Sequence, residues 1–216
     1  MQRSLYAILL DGGFVTKKLR PSFAAPKEHT TAEDIVALCE RLKALPHLAE
    51  YELLRIYYYD AMPATGTANL PVTQTFFDLS QTDRFKAGQS LYSQLVLKPN
   101  VALRMGRVQL SKQKWRIKQK AARHLRQNQR ALTDADFELD LQQKGVDIRI
   151  GLDMARLALR DMVRAVVVVT GDTDFVPVFK FVRREGVKVI VDQMGHNVRD
   201  LAEHADISID PSVAMP

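Results

Sequence analysis

Two acidic residues stand close together at the most chemically suggestive point of the sequence. Asp172 and Asp174 follow the β-branched run Val166–Val169, within AVVVVTGDTDFVPV at 165–178, and Pro177 marks the first turn of a predicted helix. The run is typical of a strand buried on both faces of a parallel sheet. Two carboxylates at this spacing repel each other unless solvent or a cation separates them. Divalent-cation binding and helix capping are therefore the two interpretations of this segment.

A second acidic residue has the same local setting near the N-terminus. Asp11 follows the apolar run Leu5–Leu10 and precedes Gly12 and Gly13, which again predicts a strand, an acid and a glycine turn. Taken alone, Asp11 is typical of a turn residue after a core strand. Ligands of open α/β sheets bind at the carboxyl ends of the strands, so the repeated pattern favours one shared site at that edge.

The third acidic segment is KGVDIRIGLDMARLAL, residues 144–159, where helical spacing relates Ile148, Leu152, Ala155 and Leu159. Asp147 and Asp153 lie six residues apart near its start. Six residues correspond to about 600° of helix, so the two side chains differ in direction by about 120°. Either Asp147 lies in the loop before the helix, for which Lys144 and Gly145 argue, or only one of the two acids faces the site.

A cluster of aspartates would suit a hard divalent cation. We expect Asp11, Asp147, Asp172 and Asp174 to hold Mg²⁺ or Mn²⁺, which prefer carboxylate and water oxygens, with Asp153 as a further catalytic candidate. Such a metal lowers the pKa of a bound water and offsets the charge that builds on a phosphoryl group. The chemistry indicated is phosphodiester hydrolysis, and the sequence leaves open whether Asp147 or Asp153 is the third ligand.

The same segments resemble the NYN-domain family of the PIN-like nuclease fold, which is related to flap-type nucleases. The resemblance spans about residues 5–210, and its most specific part is KGVD combined with GDTDF. Phe14 departs from the family's usual first motif, where Asn is common. The resemblance implies that the substrate is RNA, single-stranded or structured, and that the protein is a ribonuclease. The segments that carry it are DGGF at 11–14, RIYYYDA at 55–61, LRMGRVQL at 103–110, KGVD at 144–147, TGDTDFVPV at 170–178, REGVKVIV at 184–191 and LAEHADISID at 201–210.

Alternating strand and helix patterns predict an α/β fold that positions these residues: a single-domain, three-layer α/β/α arrangement with a mainly parallel central sheet, PIN-like. The chain has 216 residues, 46% of them apolar, so we expect one domain over 1–216 with its core at about 5–210. A basic loop is expected at 16–29, and a Thr30–Glu33 capping box before the first helix. Strands are expected near 5–10, 52–59, 101–106, 166–169 and 187–191, and helices near 31–45, 82–97, 145–160, 176–184 and 197–204.

The positive charge is concentrated in one stretch. The formal net charge is +6, yet Lys112–Arg130 carries eight basic residues and no acidic one, which leaves −2 for the rest of the chain. Cations interspersed with an aromatic residue are typical of a nucleic-acid surface, although a solvated loop is the alternative. Trp115 either stacks on a base or anchors the stretch in the core, and burial is favoured. The residues expected to contact RNA are Lys112, Lys114, Arg116, Lys118, Lys120 and Arg123.

Other functional classes fit the sequence less well. A haloacid-dehalogenase-like phosphatase needs a second aspartate two residues after the first, where Gly13 stands, and neither a GxGxxG nor a Walker motif occurs. A non-catalytic RNA-binding or protein-interaction module on the same fold remains the alternative. The single cysteine, Cys39, excludes an internal disulfide and indicates a reducing cytoplasm. No membrane contact is expected, because the apolar runs are too short to span a bilayer and the basic stretch lacks a wide apolar face.

Overall fold

A seven-stranded sheet forms the centre of the computed structural model, which describes residues 4–22, 28–127 and 130–209, without the side chains of 21–22, 109–114, 127 and 142–143. In chain order its strands are β1 (Ser4–Asp11), β2 (Tyr51–Ala61), β5 (Val101–Ile117), β6 (Phe137–Lys144), β7 (Ala165–Val169), β8 (Lys188–Asp192) and β9 (Ile207–Ser208); β3 (Thr67–Asn69) and β4 (Phe76–Asp78) form a separate antiparallel pair. Across the sheet the order is β6-β5-β2-β1-β7-β8-β9, and only the β5–β6 pair is antiparallel. The predicted mainly parallel sheet is confirmed.

Helices cover both faces of this sheet and bury two apolar clusters. One cluster joins alternate strand side chains such as Ile8 and Val167 to the first three helices, and the other joins Leu9 and Val168 to the last three. All five residues of β7 are buried, because the strand is central and covered on both sides. The three-layer prediction is therefore confirmed. The helices are α1 (Gly12–Ser22), α2 (Ala32–Lys43), α3 (Asp83–Leu95), α4 (Gln119–Gln127), α5 (Val146–Leu159), α6 (Val176–Arg184) and α7 (Arg199–His204).

Part of the predicted N-terminal loop is regular structure, and so is much of the basic stretch. The first part of the predicted 16–29 loop belongs to α1, whose inner face buries Val15 and Leu19, four residues apart; residues 23–27 lie outside the described part of the chain. The predicted capping box lies one residue later, where Thr31 accepts the backbone N–H of Asp34 and the Asp34 carboxylate accepts that of Thr31. The basic stretch, for which a solvated loop was the alternative interpretation, is divided between the end of β5 and α4 in the part of it that the structure describes.

Helix α5 was predicted to within one residue at each end, but its inward face is not the one that the spacing singled out. Ile148, Leu152 and Leu159 are each more than 60% exposed and lie on the outer side. The inner face is formed by Val146, Ile150, Met154 and Leu157, all buried against the sheet. The helix thus has apolar residues on both its outer and its inner side. Both sets recur at the helical period, so the sequence did not show which of the two faces is buried.

Strand β5 continues well beyond the parallel sheet. Its last parallel pair joins Gly106 to Ala61 of β2, and from Arg107 to Ile117 it pairs only with β6. We call this extension, residues 107–117 with 137–144, the β5–β6 arm. The paired strand β6 has eight residues, which measure about 26 Å of extended chain, so the arm continues past the carboxyl ends of the central strands. The predicted strand at 101–106 is only the part inside the sheet.

Candidate active site

The acidic residues predicted to form a site come from the carboxyl ends of neighbouring strands. Asp11 is the last residue of β1, and Leu10 pairs with Val169, the last residue of β7. The segment that carries Asp172 and Asp174 starts immediately after β7. Because β1 and β7 are parallel neighbours, both acidic turns open on the same edge of the sheet.

Thr170 joins the two turns. Its hydroxyl donates to Oδ2 of Asp11 at 3.2 Å and accepts the backbone N–H of Asp172 at 3.2 Å. Oδ1 of Asp11 accepts the N–H of Phe14, in the first turn of α1, at 3.2 Å. The fully buried Thr170 therefore fixes Asp11 relative to the Asp172 turn, which is a role that the sequence analysis missed.

Burial dominates the electrostatics of Asp11. It raises the pKa of this carboxyl to about 6, against the lowering effect of the hydrogen bonds from Phe14 and Thr170. The negative charges of Asp147 and Asp60 raise this pKa further. Asp11 therefore lies within electrostatic reach of acids on two other elements.

Asp147 occupies the first turn of α5, directly after Gly145, whose φ of +77° is one that glycine adopts at little cost. Partial burial raises the pKa of Asp147, and the charges of Asp172 and Asp174 raise it further. Asp147 therefore interacts electrostatically both with Asp11 and with the acids of the Asp172 turn. The four predicted metal ligands, Asp11, Asp147, Asp172 and Asp174, share one neighbourhood at the carboxyl edge.

Asp172 also performs the capping role that the sequence left as an alternative. Its Oδ1 accepts the backbone N–H of Asp174 at 2.9 Å, at the start of the short 3₁₀ turn Thr173–Phe175 that leads into α6. A capping carboxylate still has a second oxygen, so capping and cation binding are compatible at this residue.

Asp153 points away from this neighbourhood. Its two oxygens accept the Arg104 guanidinium, from Nε at 2.7 Å and from a terminal nitrogen at 2.8 Å. The Tyr59 hydroxyl donates to the same carboxylate at 3.0 Å. Asp147 and Asp153 face different surroundings, as the calculated angle of about 120° along a helix requires.

Asp60 is a buried acid that was not among the predicted site residues. It lies near the end of β2, where Oδ1 accepts the N–H of Ala61 at 2.7 Å and Oδ2 accepts the Tyr58 hydroxyl at 3.3 Å. Its charge is one of the two that raise the pKa of Asp11. The sequence did carry a signal, since Asp60 ends an apolar strand just as Asp11 does.

The predicted RNA-contacting residues are distributed over the β5–β6 arm and α4. The side chains of Lys112 and Lys114 lie outside the described residues. Arg116 donates to Glu138 at 2.9 Å, and Lys118 donates to the carbonyl of Ala135 at 2.8 Å. Lys120 and Arg123 are exposed on α4.

Trp115 anchors the arm to the β3–β4 pair rather than to the main core. Its indole N–H donates to the carbonyl of Asn69 at 2.8 Å, and its ring meets the Phe77 ring edge-on with centroids 5.8 Å apart. The side chain is only partly buried, so the favoured prediction of burial in the core is wrong, and the small sheet is its partner instead.

The donor chemistry at the carboxyl edge fits a hard divalent cation. Within the described ranges, no three or more His, Cys, Asp or Glu side chains converge closely enough to form a metal-binding group. The pKa of Asp11 is raised by the charge of Asp147, and the pKa of Asp147 by the charges of Asp172 and Asp174, and carboxylate oxygens are the kind of donor that Mg²⁺ or Mn²⁺ prefers. No helix in the described part of the chain is long and apolar enough to cross a membrane.

Comparison with known proteins identifies the family and supports the fold. The family model described as the NYN domain matches residues 24–210, and NYN domains are generally nuclease-type. The structure is similar to the crystal structure of a protein of unknown function from Vibrio parahaemolyticus RIMD 2210633, with a TM-score of 0.50, 16% sequence identity and 97% of each chain covered. That likeness shows the fold alone. No curated protein matches the chain significantly.

Proposed function

The chain belongs to the NYN-domain family, and we propose that it is a metal-dependent ribonuclease that hydrolyses RNA phosphodiester bonds at the carboxyl edge of its sheet. One observation carries the proposal: aspartates from β1, the β7–α6 turn and the start of α5 lie within each other's electrostatic reach. Such clusters are unfavourable by themselves and are typical of sites that act on phosphate esters through a bound cation.

The roles that we assign follow from the contacts of each acid. Asp11, Asp147, Asp172 and Asp174 would hold the cation. Thr170 orients the Asp11 carboxylate and, through the Asp172 backbone, keeps the two turns in register. A bound Mg²⁺ or Mn²⁺ would supply an acidified water and offset the charge that develops on the phosphoryl group.

Asp153 has a positioning role in this proposal. Its ion pair with Arg104 ties α5 to β5, and the Tyr59 hydroxyl ties it to β2. These contacts set the direction of α5 and therefore the position of Asp147, about one and two-thirds turns earlier on the same helix. The basic arm, which rises above the same edge, would hold the phosphate backbone of the RNA.

The decisive experiment compares wild-type protein with Asp172→Asn on labelled RNA and DNA panels in Mg²⁺, Mn²⁺ or EDTA. Asparagine keeps the shape of the side chain and its capping ability, so the fold should persist while one charged ligand is lost. We expect RNA cleavage only with metal, and a loss of about 100-fold or more in Asp172→Asn, which corresponds to about 2.7 kcal/mol of transition-state stabilisation.

A matched control is Asp200→Asn in α7, which changes the charge equally at an exposed residue outside the cluster. It should cleave as the wild type does. Undiminished cleavage by a clean Asp172→Asn preparation contradicts the catalytic assignment. RNA binding without cleavage in any metal identifies a binding module instead.

A further inference from the structure

A lysine and a histidine meet on the α1 side of the acidic site. Nζ of Lys18, on α1, lies 3.5 Å from Nδ1 of His196, in the loop after β8. The Lys18 ammonium also lies over the Phe14 ring, 5.7 Å from its centroid, and the Phe14 and His196 rings are 6.1 Å apart. Two side chains of α1 and one from the distant loop after β8 thus form one cationic corner.

This corner adjoins the aspartates directly. The backbone N–H of Phe14 binds Asp11, so α1 carries both the cap of that acid and Lys18 one turn further on. On the other side, Gly171 precedes Asp172 and lies against both rings. A Cβ at residue 171 would be 2.4 Å from the Phe14 ring and 2.8 Å from the His196 ring, so only glycine allows this approach.

The loop that presents His196 has an unusual and well-fixed backbone. Met194, Gly195 and Asn197 all have positive φ, at 45°, 75° and 51°. The loop is held by its own polar residues, because Oδ1 of Asp192 accepts the N–H of Met194 at 2.8 Å and the carbonyl of Gln193 accepts that of His196 at 2.8 Å. Non-glycine residues with positive φ are costly, and such strain is concentrated at binding and catalytic sites.

The donors at this corner match a phosphate group. If Lys18 donates to Nδ1, the ring proton of His196 is on Nε2, and the ammonium retains two further N–H donors. His196 is exposed and Lys18 is partly exposed, so an anion from solvent can reach both. The charge of Lys18 complements the adjacent acids, which cannot bind phosphate directly.

We propose that Lys18 and His196 form a phosphate-binding subsite that holds the RNA chain beside the scissile bond. The proposal rests on the proposed nuclease function for the location of that bond, while phosphate binding itself can be measured without cleavage. The phosphate is either an internal phosphodiester or a terminal 5′-phosphate. Both offer the same oxygen acceptors to the ammonium and the imidazole.

The test measures binding of fluorescent single-stranded RNA by anisotropy in EDTA, so that no cleavage occurs. Lys18→Met should raise Kd about tenfold, the effect of losing one charge-assisted hydrogen bond, and His196→Ala should raise it several-fold. Lys18→Arg should retain most of the affinity. The control Lys17→Met removes the same charge from the neighbouring exposed residue of α1 and should change Kd by less than about twofold.

Two RNA preparations distinguish the sources of the phosphate. An effect of Lys18→Met that is equal for 5′-hydroxyl and 5′-phosphate RNA assigns an internal phosphodiester, whereas an effect confined to 5′-phosphate RNA assigns the terminal group. Equal losses in Lys17→Met and Lys18→Met, or no loss in Lys18→Met, overturn the subsite. Thermal melts of each variant identify any that fails to fold. If Lys18→Met or His196→Ala is among them, RNA binding by His196→Asn is measured as the second test of the same corner.

The outcome is separable from that of the proposed function. If RNA is never cleaved but Lys18→Met still weakens binding, the subsite stands and the nuclease proposal fails. If Asp172→Asn abolishes cleavage while Lys18→Met binds like wild type, the nuclease proposal stands and the subsite fails.

Discussion

The Asp11 carboxylate has a higher pKa than an aspartate in water, because it is enclosed at the end of a buried strand. Its two hydrogen bonds, from Thr170 and Phe14, stabilise the ionised form but do not offset the burial. With the pKa raised to about 6, metal-free folded protein carries an unfavourable charge at neutral pH. This cost is consistent with a residue kept for binding a cation, since it adds nothing to the stability of the fold.

We therefore predict that Asp11→Asn stabilises the metal-free protein in a pH-dependent way. The folded-state pKa of about 6 exceeds the ordinary aspartate value of 3.8, so wild-type protein loses stability as the pH rises from about 4 to about 6. By pH 7 the variant should be more stable by about 1 to 3 kcal/mol, and below about pH 4 the two should converge.

Urea unfolding in EDTA between pH 4 and 7.5 measures this difference, with Asp200→Asn as the control that should follow the wild type at every pH. Adding Mg²⁺ at pH 7 should narrow the gap, because a cation that binds only the folded state stabilises the wild-type protein. A difference between Asp11→Asn and wild type that does not change with pH would contradict the assignment of the raised pKa to Asp11.

Local sequence patterns reveal some of the residues at the site and not others. Asp11 and Asp172 could be predicted because each follows an apolar strand and adjoins a glycine, which is a pattern of neighbouring residues. Thr170 could not, because its importance comes from Asp11, which is 159 residues away along the chain. His196 could not be predicted either, because its contact with Lys18 depends on the loop after β8 meeting α1.

At the scale of elements, the ion pair between Arg104 and Asp153 connects β5 to α5. The Asp153 side chain is almost fully buried, while the Arg104 side chain is about 41% exposed. Tyr59 of β2 donates to the same carboxylate, so three elements meet at one acid. Breaking such a pair costs more than replacing it, because the remaining partners lose their hydrogen bonds.

We predict that Asp153→Ala lowers the free energy of unfolding by about 3 kcal/mol and that the double variant Arg104→Met with Asp153→Leu recovers most of it. The double change replaces a buried ion pair by apolar side chains of similar size. Chemical unfolding of Arg104→Met, Asp153→Leu and the double variant gives the coupling energy between the two positions. If Asp153 instead acted as a metal ligand, the stable double variant would lose cleavage as severely as Asp172→Asn does.

The errors at the element scale have physical causes. Helix α1 was predicted as a loop because Lys17, Lys18 and Arg20 obscure a buried face of only two large aliphatic residues. In α5 both faces are apolar, so periodicity identified the helix but not its buried side. The predicted strand at 101–106 ended too early for two reasons. The extension of β5 beyond Gly106 is rich in lysine and arginine, and its antiparallel pairing with β6 depends on residues about 30 positions later.

At the scale of the whole molecule, the acidic residues of the carboxyl edge and the basic residues of the arm lie one beyond the other along the strand direction. The aspartates lie at the carboxyl edge, and the β5–β6 arm rises from the same edge with much of the basic stretch, followed by α4. An extended polyanion lying along the arm would therefore reach the acids. Under the proposed function, the arm would steer and hold RNA while the acids at the edge would act on it.

The described side chains of the basic stretch are not equivalent within this arrangement. Arg116 and Lys118 already have partners in the protein, Glu138 and the carbonyl of Ala135, and are less available to phosphates. The cations Lys120, Arg123 and Arg126 are exposed along α4. We therefore predict that the α4 residues carry the larger share of the electrostatic affinity for RNA.

Replacing Lys120, Arg123 and Arg126 by Ala should weaken RNA binding at all sequences and flatten its salt dependence. Each lost contact to a single strand lowers the slope of log K against log salt by about 0.7, so the triple variant should lose about 2. The matched control replaces Lys180, Arg184 and Lys188 by Ala, which removes the same three positive charges. These residues line a cleft of about 650 Å³ between the end of α6 and the start of β8, at the opposite edge of the sheet. If RNA follows the arm, the control slope stays close to that of the wild type. Equal slopes in the two triple variants would mean that RNA responds only to net charge and does not follow the arm.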